Sequence, residues 1–559
     1  MSAVEAPSTR ARSRPRLEPV ENGDRRSPKA RPARLLLPAK IRAAHLLALS
    51  AFGIAEPAFE VLKKNPDYLV EQGFSGSDLV LYAVLLLVVP TALLMTLERA
   101  VGLFSRRAEA VVHHFAVGLL AFLLVGRTSH QLFQPLVTIA VALVASVVVV
   151  RIYAKWEPVR LLLTFASLGA VLFLALFLTG TPLAKLSTND VRGLPVAHVS
   201  TRTPVVLVVF DEFALSSLTN ERDRIDATRY PNFAALARSA TWYRDATTVH
   251  DYTSWAVPAI LTGRISATKD LPLLADHRES LFTLLGPSYR IHAVQSVTRL
   301  CPAHLCPQAG ESLGTRVRKL SSYVWTTVYA GHPRASGPWS NPPGLVSRFI
   351  TELRPGNPRQ LYVLHVLLPH SPWRYLPSGK TYTSAPPSMG PVGDTWARSD
   401  GLVDHGFKRH LLQVEFVDRE LGRIVRRLHE TGLWNRSLFV VVADHGVSFL
   451  AGGHERAVDL HNIGDIAPIP LFVKTPWQQA GRIDDRSART IDVVPTIADV
   501  LHIRMPWKLD GRSLLSPNRP RPSEVVIHTS TGTIVRAPWS HVRAEFDKTV
   551  ARKARLFGP

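Results

Sequence analysis

Two apolar stretches of this 559-residue chain run straight into acids. Pro204-Val-Val-Leu-Val-Val-Phe210 reads as a buried strand and ends in Asp211-Glu212, while Ser437-Leu-Phe-Val-Val-Val-Ala443 ends in Asp444-His445-Gly446. In open α/β sheets, ligands bind just beyond the carboxyl ends of the strands. Adjacent carboxylates there suit a hard divalent cation. So does an acid beside an imidazole, followed by a glycine that permits a tight turn. From the first segment alone, an Asp/Glu pair that merely opens a loop is an equal reading; two acid-tipped strands in one domain favour the metal. Between them lies His250-Asp-Tyr-Thr253-Ser-Trp-Ala-Val-Pro-Ala-Ile-Leu-Thr-Gly-Arg264. Residues 254–262 read as a short apolar helix, with Thr253 near its N-cap, Pro258 as a source of a kink and Gly263 at its end. The start of a helix offers free N–H groups and a positive dipole end, which suits a phosphate or sulfate group. A threonine hydroxyl holds its proton too tightly to attack at neutral pH, and direct coordination to a divalent cation removes that obstacle. The plainer reading is a threonine that only caps its helix.

Several histidines lie near these segments. His365 and His370 flank a strand end in His-Val-Leu-Leu-Pro-His, and His454 and His461 follow the second acid-tipped strand, in Gly-Gly-His-Glu-Arg and Leu-His-Asn. Each has the chemistry to bind a second cation, hold a phosphate or protonate a leaving group. A lone loop histidine is more often an ordinary surface residue.

These residues need a scaffold. From about residue 200, strand-like and helix-like segments alternate, the pattern of an α/β domain with a mostly parallel central sheet. The first third is far more apolar than the rest. Five segments, roughly 41–62, 78–97, 110–127, 135–152 and 159–180, each approach the ~20 residues a membrane-spanning helix needs. Residues 1–37, rich in Pro, Arg and Ser, read as a disordered basic cytoplasmic tail, 38–185 as the transmembrane bundle and 518–559 as a C-terminal extension with a strand at Glu524–Thr529 and a basic helix near 541–555. Arg99, Arg106 and Arg107 in one loop, and Arg151, Lys155 and Arg160 in another, place those loops inside with the tail. The domain after residue 185 then lies outside the cytoplasm. Cys301 and Cys306, the two cysteines of the chain, fit a small disulfide loop in an oxidising compartment. Glu56 and the His113–His114 pair fall within apolar segments, and helix partners are the expected reason. The formal net charge of +22 raises nucleic acid as a partner. No aromatic-interleaved basic stretch supports it, and the basic tail beside an apolar segment points to the membrane.

Six motifs then occur in order: the strand with Asp211-Glu212; Tyr230-Pro-Asn-Phe-Ala-Ala-Leu-Ala237; Thr253 to Arg264; Pro369-His-Ser-Pro372; Asp444-His-Gly; and Ile491-Asp-Val-Val-Pro-Thr-Ile-Ala498. Over about residues 200–517 the chain resembles the sulfatase-like branch of the alkaline-phosphatase superfamily. Counting back from Leu261-Thr-Gly-Arg264, the resemblance puts Thr253 at the nucleophile position. It implies Asp211, Asp444 and His445 as metal ligands together with Thr253, with Glu212 as a further candidate. The cation would be Mn, Zn, Mg or Ca. His370 matches the family's Pro-His-x-Pro segment, and motif order favours His370 and His454 as catalytic while leaving His365 and His461 aside and His250 open. True sulfatases carry a Cys or Ser that is oxidised to formylglycine, followed by Pro and Arg; here Thr253, Trp255 and Val257 stand in those places. A threonine and several N-terminal membrane helices resemble the lipoteichoic-acid synthases and phosphoethanolamine transferases. That implies transfer or hydrolysis of a phosphodiester-linked group of the cell envelope, with a phospholipid or an envelope glycan or lipid as substrate. The alternatives are a sulfuric or phosphoric ester hydrolase and a non-catalytic membrane scaffold; the oligomeric state is open.

Overall fold

Runs of Leu, Val, Ala and Phe with few charges form five helices long and apolar enough to cross a membrane: α1 (Ala39–Lys64), α3 (Gly76–Gly102), α4 (Arg106–Ser129), α5 (Pro135–Lys155) and α6 (Glu157–Gly180). A short α2 (Pro66–Glu71) lies between α1 and α3. The computed structural model describes residues 36–129, 132–187, 191, 193–194, 197–307, 311–329, 341–356, 358–381, 391 and 394–557. The tail read over 1–37 therefore falls outside the described residues, apart from its last two.

The charges inside the bundle find partners, as expected for groups that are expensive in lipid. Glu56 and Glu60 lie 2.5 and 2.7 Å from the Arg127 guanidinium of α4. Nearer the other end, Arg42 pairs with Glu109 at 2.5 Å and with Glu98 at 3.2 Å. His113 joins Glu98 to the Tyr153 hydroxyl, each contact 2.7 Å, and His45 bridges Tyr153 to Thr164 at 2.8 and 2.9 Å. All five spanning helices contribute to this polar knot.

The outer domain is built on a seven-stranded sheet: β1 (Val205–Asp211), β2 (Thr241–Tyr243), β3 (Arg290–Val294), β4 (Gln360–Pro369), β5 (Leu438–Ala443), β6 (Leu471–Lys474) and β7 (Arg482–Asp484), in spatial order β3-β4-β1-β5-β6-β2-β7. β1 pairs in parallel with β4 and β5, and β3 with β4, while β6 runs antiparallel to both β5 and β2. β1, β4 and β5 are buried along their whole length. That is why they read as unbroken Val/Leu/Phe runs rather than alternating ones.

Register places the chemistry. Phe210 pairs with Ala443, so Asp211 and Asp444 leave the sheet side by side. On the other flank Val209 pairs with His365, and the ladder slips between Phe210 and Asp211.

The domain sits on the loop between α1 and α3. Tyr68 stacks on Tyr323 of α7 (Leu313–Tyr329) with ring centroids 3.5 Å apart. Arg316 reaches both Asp78 oxygens at 2.8 and 2.9 Å, and Arg299 donates to the Phe74 carbonyl. Cys301 and Cys306 form the expected disulfide. The C-terminal residues form a hairpin, β8 (Glu524–His528) with β9 (Ile534–Pro538), and then a helix over Trp539–Phe557, longer than the sequence suggested.

Candidate active site

Thr253 is the first residue of a helix that ends at Thr262, with Pro258 inside it; Tyr252 is the N-cap, and no side chain caps it. The helix stops at Gly263, whose φ of +69° places it in the left-handed region. The Thr253 hydroxyl therefore does not serve its own helix. Its Oγ1 lies 3.1 Å from His445 Nε2 and 3.3 and 3.4 Å from the two carboxylate oxygens of Asp211. The preceding loop is fastened by Asp251, whose carboxylate accepts the Val458 N–H at 3.2 Å and the Ser530 N–H at 2.9 Å. His250 donates from Nδ1 to the His528 carbonyl at 3.1 Å, so this histidine is tied to the C-terminal hairpin. Burial pushes it down to about 4, a neutral ring.

His445 donates from Nδ1 to the Gly446 carbonyl at 2.8 Å, which leaves the Nε2 lone pair facing Thr253. Gly446 has to be glycine: a Cβ there would meet the Asp465 carbonyl oxygen at 2.0 Å. Gly446→Ala is expected to destabilise the domain by about 1–3 kcal/mol and to weaken any stabilisation by added divalent cation. Thermal unfolding of the detergent-solubilised chain, with and without Mn²⁺, checks both effects.

Three buried carboxylates meet at this point. Asp444 accepts the backbone N–H groups of Glu212 at 3.1 Å and His445 at 2.6 Å through Oδ1, and its Oδ2 has no hydrogen-bond partner. Burial and the negative charge of Asp211 push the Asp444 carboxyl up to about 6. Burial acts on Asp211 as well, but His370, His365 and His445 outweigh it and hold that carboxyl down at about 2. Glu212 has a φ of +57°, strained for a residue with a side chain, and strain of this kind concentrates at functional sites. Its Oε2 accepts the Ser371 N–H at 3.2 Å, Oε1 has no partner in hydrogen-bond geometry, and burial raises the group well above the usual carboxylate range.

His365 Nε2 lies 3.2 Å from Asp211 Oδ2, and His370 Nε2 lies 3.1 Å from Glu212 Oε1. Ligand atoms of Asp211, His365 and Asp444 fall within 4.8 Å of one another, and so do those of Asp211, Glu212 and His370. Buried acids with unpartnered oxygens, beside buried imidazoles, are a donor set that fits a divalent cation.

Of the residues singled out in the sequence, Asp211, Glu212, Thr253, His370, Asp444 and His445 are brought together. His454 is not among them: it is exposed, with Nδ1 3.4 Å from Thr395 Oγ1. His365, set aside in the sequence, is inside. So is Arg456, two residues past His454, which the sequence reading did not single out. Its Nε lies 3.0 Å from Glu212 Oε1, and its guanidinium sits 5.1 Å from the centre of the Tyr252 ring.

The family profile described as Sulfatase matches residues 203–503, more than half of the chain. A multifunctional alkaline phosphatase superfamily protein, PehA, of Trinickia caryophylli is 37% identical over 107 residues, 18% of this chain and 19% of that protein. An arylsulfatase of Clostridium perfringens is 29% identical over 105 residues, 18% of this chain and 21% of its own length. The chain thus aligns with about a fifth of the length of these curated relatives. Among solved structures, the lipoteichoic acid synthase LtaP of Listeria monocytogenes superposes on 66% of this chain and 97% of its own, with a TM-score of 0.35 and 15% identity. Since the profile runs from the strand that carries Asp211, through Thr253 and His370, to beyond the loop of Asp444 and His445, this membrane-bundled chain belongs to the sulfatase family.

Proposed function

We propose that the chain transfers or hydrolyses a phosphodiester-linked group of the cell envelope, with Thr253 as nucleophile and a divalent cation held by Asp211, Asp444, His445 and Thr253, with Glu212 in reach. The observation that carries this reading is the Thr253 hydroxyl, which makes no helix cap and points instead between Asp211 and His445 Nε2. A bound cation would supply the charge that lowers the hydroxyl's pKa and neutralises the phosphoryl oxygens.

The protein groups account for the rest. Thr253 Oγ1 attacks phosphorus, the bond to the departing alcohol breaks, and the phosphoryl group stays on Thr253. An acceptor hydroxyl or water then attacks the same phosphorus, and Thr253 Oγ1 leaves. His370, pushed down to about 3 by burial, is a neutral ring beside the transferring group rather than a proton donor. His454, exposed on the loop that carries Arg456, is the candidate to protonate the departing alkoxide from the rim.

Trp255 and Val257, in place of the maturation Pro and Arg, speak for phosphoryl rather than sulfuryl chemistry. The membrane supports a lipid substrate in a second way. Asp67, in α2 between two spanning helices, still meets solvent, yet protein surrounds it closely enough to raise its carboxyl, and the Ser254 side chain opposes that rise. The residue next to Thr253 is thus within one side chain of the segment that joins two helices of the bundle. The basic loops at the opposite ends of the helices support an extracytoplasmic catalytic domain.

The test is turnover of bis(4-nitrophenyl) phosphate and of 4-nitrophenyl sulfate by the metal-reconstituted full chain in detergent. Phosphodiester turnover that EDTA abolishes is the expected result. Turnover of the sulfate ester alone would replace the phosphoryl reading with ester hydrolysis. A metal-loaded protein silent on both esters and on phospholipid vesicles would favour the scaffold.

A further inference from the structure

The face of the bundle built by α4 and α5 carries a groove of about 710 Å³. Its walls are Val111, Phe115 and Leu119 from α4 and Leu143 and Val147 from α5. All five are exposed, so among the described residues no protein element covers them. Between the walls the chain places small residues, Gly118 and Ser146. A Cβ on Gly118 would meet Val150 Cγ2 at 3.0 Å. The Ser146 hydroxyl donates to the Leu143 carbonyl of its own helix at 2.8 Å, so it is already spent. The lining runs along α4 from Ala110 to Phe122, about 18 Å of helix, close to the ~15 Å of hydrocarbon in one leaflet.

One end of this groove is basic. Arg151 lines it. Arg107 stands one turn before Ala110 and Val111 on α4, and Lys155 one turn after Arg151 on α5, so both continue the faces that form the groove. All three side chains are exposed, and among the described residues none has a carboxylate in ion-pair range. That sets them apart from Arg42, Arg106 and Arg127, each of which pairs with a glutamate. Exposed Phe104 and Trp156 lie in the turns just beyond these helix ends, and aromatic side chains favour the membrane–water boundary. The mouth is therefore level with lipid headgroups. It is also at the end of the bundle away from the outer domain, since Arg316 of that domain holds Asp78 at the opposite end of α3. The groove is no route to Thr253.

We infer that this groove holds an anionic phospholipid of the leaflet away from the catalytic domain. One acyl chain lies between α4 and α5, and the phosphate meets Arg107, Arg151 and Lys155. Hydrocarbon fills any apolar cleft that opens into lipid; the mouth selects the occupant, because clustered basic side chains at the surface favour anionic headgroups. The planar fork of each arginine also matches a pair of phosphate oxygens. The bound lipid joins the ends of α4 and α5 beside Tyr153, whose hydroxyl His113 links to Glu98. This site is separate from the chemistry proposed at Thr253 and does not depend on it.

Native mass spectrometry of the full chain in detergent, titrated with dioleoyl-phosphatidylglycerol or dioleoyl-phosphatidylcholine, tests this. The wild type should take up one phosphatidylglycerol per chain, more than ~10-fold more tightly than phosphatidylcholine. Arg107→Gln, Arg151→Gln and Lys155→Gln together should weaken that binding on the order of 10²-fold and leave phosphatidylcholine unaffected. Val147→Trp fills the groove and keeps every basic residue, and it should abolish the tight adduct. Glycerol 3-phosphate, a headgroup without acyl chains, should not compete. Equal affinity for the two lipids, or undiminished phosphatidylglycerol binding in the triple variant, would overturn the basic mouth and the inference with it. Wild-type binding in Val147→Trp, or full competition by glycerol 3-phosphate, would overturn the groove. All four positions are exposed, and thermal unfolding of each variant checks its fold. Should Val147→Trp not fold, the triple variant and the glycerol 3-phosphate competition still decide.

Discussion

Thr253→Ala should reduce phosphodiester turnover on the order of 10⁴-fold, the scale seen when a covalent nucleophile is removed, while the protein unfolds at nearly the same temperature. Both halves of this result follow from the hydroxyl's direction. Because Oγ1 makes no capping hydrogen bond, its deletion costs the helix nothing at the N-terminus, and the stability change should stay within about 0.5–1 kcal/mol. A threonine that only capped its helix would behave in the opposite way: stability would fall by about 1 kcal/mol and turnover would persist. Thr253→Ser keeps the hydroxyl and loses a methyl group, so it should retain most of the activity. Steady-state rates on bis(4-nitrophenyl) phosphate, thermal unfolding of the same samples, and mass spectrometry of the active-site peptide for a phospho-threonine together separate these cases. A Thr253→Ala enzyme that still turned over the diester at the wild-type rate would remove Thr253 from the mechanism.

The acid-tipped strands and the short helix after Thr253 were legible in the sequence because each is a local pattern: a β-branched run that ends in a charge, or an apolar stretch closed by glycine. What joins them was not. Asp211 and Asp444 become neighbours only through the Phe210–Ala443 register, between strands more than two hundred residues apart. The placing of the histidines has the same origin. His365 and His370 occupy one segment, and the slip of the ladder between Phe210 and Asp211 decides where each ring arrives; a one-chain pattern carries no sign of such a slip. On the loop after Asp444, the sequence favoured His454 on motif order, yet the chain turns so that Arg456 faces inward and His454 faces solvent. The C-terminal residues read as a peripheral extension, but the Ser530 N–H and the His528 carbonyl hold the loop that delivers Thr253. Backbone groups leave no signature in side-chain chemistry. The membrane half shows the same division. Its five spans are visible from composition, whereas the pairing of Arg42 with Glu98 and Glu109 depends on helix packing.

Asp444→Asn carries the other large effect, because this carboxylate is in conflict with its surroundings until a cation arrives. In the cation-free protein its carboxyl is pushed up to about 6 by burial and by Asp211, above the ordinary value of 3.8. The native state therefore holds this proton more tightly than the unfolded chain does. Its contribution to stability is present below about pH 4 and is lost as pH rises through about 6, where the buried charge is exposed to Asp211 without compensation. A divalent cation binds the deprotonated form, so metal and proton compete for the same oxygen. The rise in unfolding temperature on adding Mn²⁺ should be large at pH 7.5, shrink through pH 6 and be small at pH 5. Asp444→Asn removes both the titrating charge and the ligand. The chelated variant should lose the wild-type protein's fall in stability between pH 5 and 7.5, bind Mn²⁺ more than ~10²-fold more weakly, since even outer-shell changes cost 10–100-fold, and fail to turn over the diester. A series of melts across pH, with and without Mn²⁺, reads these effects on one axis. A metal-induced shift that is independent of pH, or one that survives in Asp444→Asn, would place the cation elsewhere. The same result would separate the three converging carboxylates from the chemistry proposed for Thr253.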